Sequence, residues 1–242
     1  AIITNHGIDP NLYHKAEQKI IEFFEETTFE ERMKYEARRF GSVNQGYFPM
    51  KTTTIIHPDL VEGWVFCRRA FDVDNNLNYN ETDFWPLSGY EPFFRQVVIA
   101  QEKLILPLMQ SMLTYLGTDP HCFDQKLTNT NFGFRLNYYP PMTQEELDSG
   151  GGRMLGHEDI DLFTILPSQS IEGLQVLNRK NMKWIRLKPK FGDIILNTGD
   201  YMQRISNDVF PSTTHRVSRP QESNLIGKPR VSFPMAIYVW ED

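Results

Sequence analysis

The chain carries 242 residues and a formal charge of −6, from 25 Lys and Arg against 31 Asp and Glu. That balance argues against nucleic acid as the main partner, because phosphate binding needs a basic face, and a content of 40% hydrophobic and 13% aromatic residues excludes a disordered chain. No apolar run approaches the ~20 residues of a membrane helix, and a domain of this length buries roughly 70–75% of its unfolded surface without disulfide staples.

Residues 1–6 read as a strand closed by His6-Gly7. Asp9 then caps a helix that opens on Pro10 and presents Leu12, Ile20, Phe23 and Phe24 on one face. A short charged helix is expected over about 28–38. Residues 41–91 read as irregular, apart from a strand at Glu62-Gly63-Trp64-Val65-Phe66. The strongest helical pattern covers 92–116, where Phe94, Val97, Val98, Leu104, Ile105, Leu108, Met112 and Leu116 recur at helical spacing and Pro107 marks a kink. Thr118-Asp119-Pro120 opens another short helix. After residue 130 short alternating runs take over, at 132–139, 162–166, 174–177, 183–187, 193–196, 213–217 and 230–240. Strands at that spacing suggest a sandwich, barrel or jelly roll. The expected organisation is one domain over 1–242, with a helix-rich part at 1–130 packed on a β core at 131–242. Both ends read as trimmed, since the chain opens at Ala1 inside one apolar run and stops at Asp242 just after another. Cys67 and Cys122 form no C-x-x-C and read as free thiols of a reducing, cytoplasmic compartment. The chain is expected to be a monomer.

Gly150-Gly151-Gly152 follows no strand and reads as a loop, not a phosphate cradle. There is no G-x-S-x-G elbow. Two of the six histidines begin an H-x-D, and chance alone supplies about one His-x-acid pair in such a composition, so context decides. His57-Pro58-Asp59 lies in the irregular stretch and reads as a proline turn. His157-Glu158-Asp159 lies just ahead of an apolar strand. In extended backbone His157 and Asp159 face one side and Glu158 the other. His215, within Thr213-Thr214-His215-Arg216-Val217, comes from a later strand and would complete a facial 2-His-1-carboxylate set, which leaves open positions on a non-haem Fe(II). Taken alone, His215 would more often be a satisfied core or surface histidine than a ligand. Arg230 and Ser232 share a strand face; a buried guanidinium there needs an anion, and its planar fork suits a carboxylate. Otherwise Arg230 is a surface residue at a strand start. Asn137 and Tyr139 share the inner face of the strand that ends at Pro140-Pro141, unless Tyr139 is a core corner.

Taken in order, these pieces resemble a known family. Ile3-Thr4-Asn5-His6-Gly7-Ile8, Asn137-Tyr138-Tyr139-Pro140, His157-Glu158-Asp159, Gly173-Leu174-Gln175-Val176, Gly192-Asp193, Gly199-Asp200, Ser206-Asn207, His215-Arg216-Val217 and Arg230-Val231-Ser232 together look like the iron(II)/2-oxoglutarate-dependent dioxygenases of the isopenicillin N synthase and anthocyanidin synthase type. The resemblance runs over nearly the whole chain. It implies a mainly β fold with supporting helices, a double-stranded β-helix or cupin-like jelly roll. It implies that His157, Asp159 and His215 bind Fe(II), and that Arg230 and Ser232 hold the far carboxylate of 2-oxoglutarate with Tyr139 and Asn137 assisting. It implies O2 as the oxidant and succinate and CO2 as coproducts, with hydroxylation, desaturation or ring closure as the outcome. Three departures stand out: the Gly-rich stretch 144–152, the extra residues 221–228, and the absence of the usual strand before the first motif. A 2-oxoglutarate-independent iron oxidase of the same fold keeps R-x-S too, and a non-catalytic jelly-roll binding protein is the rival from another class.

Alternation also places Arg135 on the face of Asn137 and Tyr139. A guanidinium in an apolar barrel needs an anion. A small carboxylate- or phosphate-bearing substrate is therefore expected, with Trp64 and Phe66 as its apolar wall. The competing reading pairs Arg135 with Glu62.

Overall fold

In the computed structural model, the residues described are 1–40, 43–50, 59–67, 84–85, 87–128, 130–149 and 152–239. The first helix, α1 (Pro10–Glu26), begins where the sequence places it: the Asp9 carboxylate accepts from Asn11 N–H at 2.9 Å and Pro10 occupies the first turn. Its buried stripe of Tyr13, Ala16, Ile20, Phe23 and Phe24 has the 3.6-residue period of a helix lying on a core. The charged helix is shorter than expected: α2 (Phe29–Met33) opens on a Thr28–Glu31 capping box and ends at Lys34, and Arg38–Phe40 is already strand β2. The pattern over 92–116 is two helices, α3 (Tyr90–Glu102) and α4 (Ile105–Tyr115). The break falls at Lys103–Leu104, and Pro107 sits in the first turn of α4, where its missing N–H deprives no carbonyl of a partner.

The strands are β1 (Ile2–Ile3), β2, β3 (Val43–Phe48), β4 (Glu62–Cys67), β5 (Asn131–Tyr139), β6 (Met154–His157), β7 (Phe163–Pro167), β8 (Leu174–Asn178), β9 (Lys183–Arg186), β10 (Ile194–Thr198), β11 (His215–Val217), β12 (Arg230–Ser232) and β13 (Met235–Tyr238). They form two antiparallel sheets. The larger runs β1-β10-β7-β13-β5-β4-β3-β2, with β12 also on β5; the smaller runs β6-β11-β8-β9. The two sheets face each other as a jelly roll, and a cavity lies between them. The front half of the chain is not purely helical, because β2, β3 and β4 extend the larger sheet.

Period-two alternation sorts β4 and β5 between two environments. Trp64, Phe66, Phe134 and Leu136 face outward into an aromatic core with α1 and α3. Phe23 meets Trp64 edge-on at 5.0 Å, and Phe66 stacks on Phe134 at 5.0 Å. The intervening residues face the cavity. Among the described residues no helix is long and apolar enough to cross a membrane.

Candidate metal and cosubstrate site

A cavity of about 360 Å³ lies between the sheets. His157 ends β6 and His215 begins β11, and the two are direct cross-strand partners. Their rings lie 4.3 Å apart, centroid to centroid. Asp159 follows two residues after β6. Its Oδ1 is 3.9 Å from His157 Nε2 and 3.8 Å from His215 Nε2. One ligand atom from each residue falls within 4.8 Å of the others. Glu158, between the first two, points outward to Arg179 at 2.9 Å and Thr214 at 2.6 Å.

Tautomers follow from the partners. His157 Nδ1 lies 3.0 Å from the Leu155 carbonyl and His215 Nδ1 lies 3.0 Å from the Thr213 carbonyl. A carbonyl only accepts, so each Nδ1 donates and each Nε2 keeps its lone pair for a metal. Burial, opposed by the Asp159 charge, holds His215 below its ordinary range, which favours the neutral ligand form. Asp159 divides its oxygens: Oδ2 accepts from Asn197 Nδ2 at 3.0 Å and Thr164 Oγ1 at 2.7 Å, leaving Oδ1 turned to the imidazoles. This donor set fits a divalent iron: two neutral imidazoles and one carboxylate with their outer atoms already held.

The two residues that orient the carboxylate carry no motif. Asn197 and Thr164 are cross-strand partners on β10 and β7, and each is a polar residue at an inward position of an apolar strand. That irregularity is the available signal. Asp161 is fully buried, and Thr164 Oγ1 is 2.7 Å from its Oδ2 as well. One hydroxyl proton serves one carboxylate, so the second contact needs a proton on Asp161. Burial first, and the Asp159 charge second, push its carboxyl up to about 8.

The second cluster is set by the register of β12 on β5, where Arg230 lies opposite Tyr139 and Ser232 opposite Asn137. All four line the cavity. Asn137 Nδ2 donates to Ser232 Oγ at 3.2 Å, and the Arg230 guanidinium lies 4.8 Å from the Tyr139 ring centre. Arg230 is 2% exposed. Its Nη2 donates to Gln169 Oε1 at 3.1 Å, while Nε and Nη1 have no hydrogen-bond partner. Gln169, in the loop after β7, is a further contact that carries no signal in the sequence.

Arg135 also lines the cavity, four residues from Tyr139 along β5, which is about 13 Å of strand. Glu62 does not pair with it. Glu62 is on the opposite face, 3.4 Å from Arg32 and hydrogen-bonded by Tyr47. Arg135 Nε is buried without a partner, and burial lowers the guanidinium from its ordinary range. Trp64 and Phe66 do not form the apolar wall. Both are 0% exposed in the outer core, because Trp64 pairs with Leu136 and Phe66 with Phe134, which face away from the cavity. The apolar residues beside Arg135 include Val65, opposite it on β4, and Phe48. His57 of the first H-x-D lies outside the described residues; Asp59 accepts from Leu155 N–H at 2.8 Å.

Two family models match the chain: the 2OG-Fe(II) oxygenase superfamily over residues 130–237, and the non-haem dioxygenase in morphine synthesis N-terminal model over residues 1–88. Protein DMR6-LIKE OXYGENASE 1 of Arabidopsis thaliana is 29% identical over 96% of this chain and 63% of its own length. The 2-oxoglutarate-Fe(II) type oxidoreductase ppzC of Metarhizium rileyi is 40% identical over 59% of this chain and 39% of its own. The chain thus spans less than two thirds of the length of these relatives. The crystal structure of a 2OG-Fe(II) oxygenase family protein from Caulobacter crescentus matches 100% of this chain and 78% of that one, at a TM-score of 0.83 and 25% identity.

Proposed function

Since this chain belongs to the 2OG-Fe(II) oxygenase superfamily, we propose that it is an Fe(II)/2-oxoglutarate-dependent dioxygenase that oxidises a small anionic metabolite. The observation that carries this is the joint presence, in one cavity, of the His157–Asp159–His215 cluster and the Arg230–Ser232 pair. The iron and 2-oxoglutarate supply the oxidation, with succinate and CO2 as coproducts. The chain supplies orientation. His157, Asp159 and His215 hold the metal; Thr164 and Asn197 fix which carboxylate oxygen faces it. Arg230, Ser232, Tyr139 and Asn137 hold the distal carboxylate of the cosubstrate.

Anionic character of the substrate rests on Arg135. Its buried, unpaired Nε on the cavity wall, with Arg230 already assigned to the cosubstrate, supports a second anion for Arg135. Val65 and Phe48 supply the apolar surface beside it. The test is iron- and 2-oxoglutarate-dependent succinate formation across a panel of small acids, each paired with its neutral ester or amide. Turnover that releases no succinate sinks the dioxygenase reading. Equal turnover of an acid and its amide sinks the anionic one.

A further inference from the structure

Arg153 is not part of any motif, yet it is 0% exposed and among the largest buried side chains of the protein. Its backbone explains how it is held. Arg153 N–H donates to the Val217 carbonyl at 2.8 Å, and its own carbonyl accepts from Leu60 N–H at 2.9 Å. Glycine at 152 allows this approach, since a Cβ there would stand 2.8 Å from the Val217 carbonyl oxygen. The side chain is less well satisfied. Nη2 donates to the Lys228 carbonyl at 2.9 Å, two residues before Arg230, while Nε and Nη1 have no hydrogen-bond partner.

Arg153 therefore sits behind the strand start that carries Arg230, and not on the cavity wall. Burial first, and then the Arg230 charge, lower the Arg153 guanidinium to about 10, so it remains a cation at neutral pH. Among the described residues neither arginine has an ion-pair partner. The nearby acid, Glu17, is engaged by Ser170 N–H at 2.7 Å and by Ser170 Oγ. Two buried like charges with four unpaired guanidinium nitrogens are unfavourable in the protein alone and favourable around an anion.

We propose that Arg153 is a positioning residue of the cosubstrate pocket: it anchors the Lys228–Arg230 segment and adds a second positive charge, so that the pocket selects 2-oxo acids with a distal carboxylate over those with an alkyl end. The proposal rests on the cosubstrate reading given above. The experiment is calorimetric titration of 2-oxoglutarate, and separately of 2-oxovalerate, into the manganese(II)-loaded protein, with wild type, Arg153→Gln and Arg153→Lys compared. Arg153→Gln is expected to weaken 2-oxoglutarate on the order of tenfold to a hundredfold, the range of one charge roughly 6–12 Å away at an effective dielectric near 20. It leaves 2-oxovalerate unchanged, and Arg153→Lys restores most of the loss. A purely structural residue lowers both ligands together and is not rescued by lysine; that result, or an unchanged Arg153→Gln, overturns the proposal. If wild type binds neither acid, the cosubstrate reading itself falls and this role falls with it.

Discussion

The two faces of β4 and β5 share one backbone and differ in almost everything else. Outward, Trp64, Phe66, Phe134 and Leu136 are sealed among aromatic rings, and the charge placed there is answered: Glu62 is met by Arg32 and Tyr47. Inward, Arg135 Nε and Asn137 Oδ1 have no partner, and neither do Nε and Nη1 of Arg230 across the ladder. A stable protein avoids unpaired buried groups wherever packing alone is at stake. The outer side has unpaired donors of its own, Trp64 Nε1 among them, but there Arg32 is ion-paired with Glu62, whereas Arg135 and Arg230 on the inner side have no ion pair among the described residues; that uncompensated charge marks the side shaped for a ligand.

Breaking each side should therefore have separate consequences. The largest effect is expected at the metal: His157→Ala or His215→Ala abolishes bound iron and succinate formation, whereas His57→Ala leaves both intact, as metal analysis per chain will show. On the outer face, Trp64→Ala should cost about 3–5 kcal/mol in urea unfolding, through cavity and transfer terms, with no change in the Michaelis constants of the folded fraction. An inner-face change reverses that pattern. Arg135→Gln should weaken the anionic substrate by about 1.5–3 kcal/mol, or roughly tenfold to a hundredfold, with no loss of unfolding stability. If stability falls and affinity does not, Arg135 belongs to the fold.

Thr164→Val sharpens the contrast, because it removes a donor to Asp159 without touching the ligand set. It should lower iron affinity about tenfold to a hundredfold while retaining the fold. A separate effect concerns pH. Asp161 is held protonated up to about 8, against 3.8 for a free aspartate, so between those values the folded protein binds more protons than the unfolded chain. Stability of the iron-free protein then falls as pH rises through about 4 to 8, and Asp161→Asn flattens that slope. A wild-type slope of opposite sign rules out a neutral Asp161.

Much of the site is legible in the sequence because alternation within a strand is local. The face shared by Arg135, Asn137 and Tyr139 follows from spacing alone, and so does the one shared by Arg230 and Ser232. What alternation cannot supply is the parity of one strand against its neighbour. Spacing alone lets Trp64 and Phe66 point inside, yet their partners Leu136 and Phe134 carry them to the outer core. β3 and β6 escape a reading by pattern for a related reason: one has Asn44, Gln45 and Gly46 within it, the other is four residues long with Gly156 inside, and neither shows a hydrophobic period. Asp161 is invisible because a buried neutral carboxylic acid and a surface aspartate are the same letter.

His157 and His215 stand directly opposite each other across the β6–β11 ladder, and the chain between them contributes β7, β8, β9 and β10. An ion gripped by both is therefore also a cross-link that closes a long loop. Loop-closure entropy makes such a clip restrict the unfolded chain more than the native one, and any ligand confined to the native state shifts the folding equilibrium by mass action. Removing iron with a chelator is therefore expected to lower the unfolding midpoint of the protein as well as its activity, which thermal melts with and without the metal will show.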